Sequence, residues 1–250
     1  SKDGPVEGVI GRKAIHILEG DERNKIPKIH ELWIDIGVSS KKEAEKLVSI
    51  GDPITYATGF ERLRGDIAVA RHFDDKIGTF VVCEAMRLLK DKQISAALYS
   101  VSTVQEEIGL RGAKTSAFGI DPDVGIAVDV EHATDYPGGD KKRGGDIKLG
   151  KGPVLYRGAN INPVVGEMLR ETAQRRRIPY QFKVVTGGTG TDANAIQITR
   201  AGVAAALVGI PNRYMHSPVE LISLKDAENA ARLLAAFVES LTPEVSFIPG

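Results

Sequence analysis

With 250 residues, 42% of them hydrophobic, the chain is long enough to bury a full core. Lys plus Arg and Asp plus Glu both number 33, so no basic excess points to nucleic acid or to an anionic membrane as partner. A single cysteine, Cys83, excludes an intrachain disulfide and fits a reducing, cytoplasmic setting; no apolar run is long enough to span a membrane, and the opening Ser1-Lys2-Asp3-Gly4-Pro5 lacks the pattern of a signal peptide.

Up to residue 66 the sequence reads as short β segments punctuated by Gly and Pro, at 6–10, 14–18, 32–36 and 54–57. One helix interrupts them, opened by Ser40 with Glu43 reaching back as a capping box and stopped by Gly51. Residues 1–66 are therefore expected to form a small β-rich domain, already under way where the chain opens. From 67 to 250 strands and helices alternate. Apolar residues at helical spacing run over 77–89 and place Cys83 as a core thiol, and a near-continuous apolar run over 94–104 predicts a buried strand. A strand follows at 124–130, then a Gly-rich and charged stretch at 135–151 expected to be a mobile loop. A helix at 163–176 capped by Asn162, a strand at 181–185, a helix from Ala193, a strand at 204–208 and an amphipathic helix at 225–241 complete the pattern. The fold class is α/β: a mixed, mostly parallel sheet covered by helices, with ligand sites beyond the carboxyl ends of the strands.

Four places carry chemistry. Glu106 and Glu107 stand together after the 94–104 run; alone, such a pair is an ordinary solvated helix start. Asp129 interrupts a buried strand and needs a partner there. Asp74 and Asp75 lie at a strand-to-helix junction, where Asp is a common cap. His216 lies in a turn-like segment after the 204–208 strand, where most histidines bind nothing. All four fall at carboxyl ends of successive predicted strands, where they converge. An oxygen-rich set with one imidazole suits a divalent cation such as zinc, cobalt or manganese, in catalytic rather than structural use. The Gly-rich segment 186–192 is neither a Walker loop nor a dinucleotide fingerprint, so it is a substrate-lining loop or a plain turn.

Taken in order, His72-Phe73-Asp74-Asp75-Lys76-Ile77-Gly78, Thr103-Val104-Gln105-Glu106-Glu107-Ile108-Gly109, Ala127-Val128-Asp129 and Met215-His216-Ser217-Pro218-Val219-Glu220 resemble the tetrahedral aminopeptidases, which include glutamyl and deblocking enzymes. Gly8-Val9-Ile10-Gly11, Trp33-Ile34-Asp35-Ile36-Gly37 and Thr191-Asp192-Ala193 extend the resemblance over nearly the whole chain. The resemblance implies a zinc-peptidase-like catalytic domain at 67–250 and a barrel-like dimerisation domain at 1–66. It also implies two divalent ions, zinc or cobalt: Asp74 bridging, Glu107 and His216 completing one site, Asp129 in the other, and Glu106 as general base. Short peptides are the implied substrates, and dimers building a tetrahedral dodecamer the implied assembly. In the family a His-x-Asp segment ahead of the small domain supplies the second site's histidine. No such segment occurs here, since neither His16 nor His132 has an Asp two residues on. The first site is thus expected to hold its ion well, the second poorly, with little peptidase activity from this polypeptide alone. Paired carboxylates also serve glycoside hydrolases, and some members of the family have been labelled glucanases; one Trp and 6% aromatics offer sugars few stacking surfaces. A non-catalytic assembly subunit is the third reading.

Overall fold

The computed structural model describes residues 4–250; Ser1, Lys2 and Asp3, which belong to the opening stretch read above, lie outside the described residues. The chain divides into two compact units, Ser1–Thr55 and Tyr56–Gly250. The division falls ahead of 66 because Glu61 and Arg62 pair antiparallel with the first strand of the main sheet.

In the smaller unit β1 (Val9–Gly11) and β2 (Trp33–Asp35) form a two-stranded antiparallel ladder, with no closed barrel among the described residues. The strand expected at 14–18 is instead a short 3-10 turn over Ile15–Ile17, and 54–57 joins no ladder. Helix α1 (Lys41–Leu47) opens as expected, the Ser40 hydroxyl accepting from Glu43 N at 3.3 Å, but the Glu43 carboxylate reaches one residue further back and accepts from Ser39 N at 2.8 Å. No described residue of this unit is buried.

The larger unit carries the core. Its strands are β3 (Glu61–Arg62), β4 (Ile67–Ala70), β5 (Val124–His132), β6 (Val154–Gly158), β7 (Gln181–Val185), β8 (Ala204–Arg213) and β9 (Glu220–Ser223). They form one seven-stranded sheet, in which β5–β8 and β6–β7 are parallel and the other ladders antiparallel. The sheet is mixed, with fewer parallel ladders than the strand-helix alternation implies. Its helices are α2 (Phe73–Leu88), α3 (Arg111–Ile120), the single turn α4 (Lys141–Gly144), α5 (Pro163–Arg175), α6 (Asp192–Gln197) and α7 (Leu224–Glu239). β8 runs through the middle and is buried from Ala205 to Asn212; α2, α5 and α7 pack together against the sheet, and α3 packs with α6. None of the described helices is long and apolar enough to cross a membrane.

Three expectations are corrected here. Residues 94–104 form no ladder, and Tyr99, Val101 and Val104 are exposed; an apolar run announces burial, but a strand exists only where a neighbour accepts its hydrogen bonds. Cys83 is exposed. The buried residues of α2 include Ile77, Val81 and Ala85, four apart, and at about 100° per residue Cys83 lies on the far side from Val81. The 135–151 stretch is tethered rather than loose: Thr134 N donates to Ile147 O at 2.8 Å, Leu149 N to Asp135 Oδ2 at 3.1 Å, and the N–H groups of Gly150 and Gly152 to Asp226, each at 2.7 Å.

Candidate active site

Asp74 and Asp75, joined by a cis peptide bond, follow β4 and have non-helical backbone angles, so the regular part of α2 starts just after them. Their tasks differ. Asp75 caps the helix, its Oδ1 accepting from Gly78 N at 2.9 Å. Asp74 is left to face the site, and its own N–H donates to Glu220 Oε2 at 2.8 Å. Glu220 is buried at the start of β9, and its other oxygen accepts from His216 N at 3.2 Å. One buried carboxylate therefore fixes the backbone at both Asp74 and His216, which are far apart in sequence. His72, Gln105, Tyr214 and His216 all have φ between 56 and 62°; left-handed backbone is uncommon for non-glycine residues and clusters where side chains must be aimed.

The side chains of Asp74, Glu107 and His216 offer one oxygen or nitrogen each within 4.8 Å of one another. His216 Nε2 lies 3.0 Å from Asp74 Oδ2. Two carboxylates and one imidazole at that spacing are the donor chemistry of a divalent transition ion. Glu106 and Asp129 lie outside this trio but line the same cavity of about 290 Å³. His132 lines it too, its ring centroid 6.4 Å from that of His216.

Burial and crowding shift the acids of this cleft upward. Burial, then Glu107 and Glu220, raises the Asp74 carboxyl to about 6, against the pull of His216. Burial, followed by the charges of Asp192, Glu107 and Asp74, raises Glu106 to about 7. Asp129 is raised to about 7, again by burial first, although its Oδ1 accepts from Val130 N at 2.7 Å. Asp75 goes furthest, to about 9, through burial and the Asp129 charge. Such concentrated perturbation in a cleft makes it a candidate functional site.

The sequence reading did not assign a site role to Asp75, Asp192 or Glu220. Asp192, the last residue of the Gly-rich segment, opens α6; Thr103 Oγ1 donates to its Oδ2 at 2.6 Å, while its Oδ1 is buried without a hydrogen-bond partner. The segment itself is pinned from behind, Asn194 Oδ1 accepting from Thr189 N at 3.0 Å and from Asn160 Nδ2 at 2.6 Å. Its residues 188–191 form one wall of the cavity.

The family profile described as M42 glutamyl aminopeptidase matches residues 1–233. The chain is 41% identical to the lysyl aminopeptidase of Pyrococcus furiosus over 254 residues, covering 100% of this chain and 71% of that protein. The crystal structure of a TET aminopeptidase from a marine sediment Thaumarchaeota archaeon superposes with a TM-score of 0.88 at 41% identity, covering 95% of this chain and 68% of that one. A TET peptidase of Pyrococcus horikoshii, which can assemble into a tetrahedron or a large octahedral shell, gives 0.81 at 32% identity over 96% of this chain and 70% of that one.

Proposed function

Since the chain belongs to the M42 glutamyl aminopeptidase family, we propose that it releases N-terminal residues from short peptides, with Glu106 as general base beside a metal held by Asp74, Glu107 and His216. The observation that carries this reading is the convergence of those three side chains within 4.8 Å in a cavity that Glu106 also lines. A zinc or cobalt ion bound there supplies positive charge that polarises the scissile carbonyl and favours ionisation of the attacking water. Asp74 and Asp129 would together hold a second ion, whose charge would offset the repulsion between their carboxylates.

Glu106 does the proton work. As the water oxygen bonds to the carbonyl carbon, a Glu106 oxygen takes its proton; as the C–N bond breaks, the same carboxyl hands that proton to the departing amine nitrogen. Burial, the first cause of the upward shift of Glu106 in the metal-free site, favours a carboxyl that can take a proton and give it back. Glu220 and Asp75 act as positioning residues, one holding the backbone of Asp74 and His216, the other starting α2.

That no described residue of the unit Ser1–Thr55 is buried, with Val9, Ile26, Ile29 and Ile50 exposed, supports association with further copies through a dimerisation domain over residues 1–66, the catalytic domain occupying 67–250. Dimers building a tetrahedral dodecamer are the proposed assembly. Glu106→Gln is expected to lower kcat by 10²-fold or more, while mass spectrometry counts the same metal per chain as in the wild type. Turnover within tenfold of wild type removes Glu106 from the role of base.

A further inference from the structure

The cavity beside the candidate metal ligands is also lined by three side chains that the mechanism leaves unused: Glu131 on β5, Tyr156 on β6 and Lys183 on β7. Tyr156 Oη donates to Glu131 Oε2 at 2.7 Å, and Lys183 Nζ donates to Oε1 and Oε2 of Glu131, both at 2.8 Å. Gly209 on β8 makes this possible, since a Cβ there would lie 2.4 Å from the Tyr156 hydroxyl and 3.1 Å from Glu131 Cβ.

The pair is asymmetric. Side-chain exposure is 22% for Lys183 and 7% for Glu131, so the ammonium stands in front and the carboxylate behind it. An ammonium has three N–H donors, and the bonds of Lys183 all end on Glu131, which leaves a donor for the cavity. For stability alone a buried ion pair is no better than apolar residues of similar volume; at a cavity wall it presents a fixed, charge-assisted donor. Asp129 and Glu131 lie two apart on one strand and so on one face, about 7 Å from each other along it.

We propose that Lys183, held by Glu131 and Tyr156, reads the side chain of the substrate's first residue and selects one ending in an oxygen acceptor, glutamate or glutamine, over one ending in a cation. The assignment rests on the peptidase reading of the neighbouring site. A lysyl substrate would bring its ammonium against that of Lys183, while Glu131 is shielded from it.

The test compares kcat/KM for the p-nitroanilides of glutamate, glutamine, leucine and lysine on the zinc-loaded chain. Glutamyl and glutaminyl substrates are expected to exceed the lysyl one at least tenfold. In Glu131→Gln/Lys183→Met, which leaves no charge buried alone, the glutamyl-to-leucyl ratio is expected to fall at least tenfold. Preference for the lysyl substrate, or a ratio the double variant leaves unchanged, overturns the proposal. Should the double variant not fold, Lys183→Arg keeps the pair and pushes the donor outward, moving preference from glutamyl toward aspartyl substrate; an unmoved ratio is equally fatal. If the wild type cleaves no nitroanilide, the peptidase reading fails, and the pocket is judged by calorimetry with free amino acids. L-glutamate binding tenfold more tightly than L-lysine then supports it, and equal affinity overturns it.

Discussion

At Gly78 the absence of a side chain decides where two catalytic-end carboxylates sit. A Cβ there would lie 2.2 Å from Asp75 Oδ2 and 2.6 Å from its Oδ1, so Asp75 can make room only by giving up the bond its Oδ1 accepts from Gly78 N. Gly78→Ala must push Asp75 out of its capping position and shift Asp74 beside it. The expected cost is about 1–3 kcal/mol, typical of overpacking, with weaker zinc binding; a variant matching wild type in both urea unfolding and zinc titration would show that Asp75 relaxes freely. Asp226 is a different case. It is fully buried at the start of α7, accepts from Gly150 and Gly152, and is raised to about 6 because burial, with Asp66 and the Arg213-paired Asp135 nearby, outweighs those bonds. The folded chain then keeps this proton longer than the unfolded chain, so the contribution to stability is full below about pH 4 and is lost as pH rises through about 6. The stability advantage of wild type over Asp226→Asn, read from urea unfolding, is expected to shrink over that window by on the order of 2 kcal/mol. If it widens instead, the two N–H bonds outweigh burial. Of the candidate site residues, Asp74, Glu106, Glu107, Asp129 and His216 could be picked from the sequence because the phrases around them resemble those of a known family, while position alone left each open to an ordinary structural role. Glu220 could not, since its significance lies in bonds to Asp74 and His216 that only the folded sheet creates.

Helices were legible where their ends carry a cap, and Asn162 is the clearest instance. Its Oδ1 accepts from Val164 N at 3.0 Å and Val165 N at 3.1 Å, Pro163 occupies the first turn, and its Nδ2 also donates to Phe247 O at 2.9 Å. Asn162→Ala is expected to cost about 1–2 kcal/mol, the upper part of that range because the bond to the C-terminal stretch goes too; a change below 0.5 kcal/mol in chemical unfolding would mean water replaces both functions. Helix α3 was missed for a physical reason. Its sequence, with Gly112, Thr115, Ser116 and Gly119, has poor helix propensity, and its glycine serves a close approach, since a Cβ on Gly112 would lie 2.3 Å from Val104 N. Strand β9 has only four residues, too few to show a period, whereas β6 is no shorter than the legible β7 and its length does not explain the difference; residues 94–104 read as a strand because an apolar run does not disclose whether a neighbouring backbone is there to pair with it.

Across the whole larger unit, the sheet gathers acids from elements distant in sequence into one cleft, Asp74 from α2, Asp129 from β5 and Asp192 from α6, with Glu106 and Glu107 from the turn between them. Four of these carboxyls are raised by burial, so the folded chain carries mutual repulsion that the unfolded chain does not. A divalent cation bound among them relieves that repulsion and binds only the folded form, which links metal occupancy to stability by mass action. At one hundred times the dissociation constant the gain is about 2.7 kcal/mol. Zinc or cobalt is therefore expected to raise the unfolding midpoint of the chelator-treated chain, and magnesium, which favours all-oxygen octahedral surroundings over an imidazole, to raise it far less at equal concentration. His216→Ala removes the one nitrogen donor of the trio and should cancel most of the zinc shift while leaving the metal-free midpoint within about 1 kcal/mol of wild type, as expected for an exposed side chain. A zinc shift that survives in this variant would place the ion elsewhere among the acids, and the cleft would then act as a diffuse cation trap, without the fixed geometry that peptide hydrolysis needs.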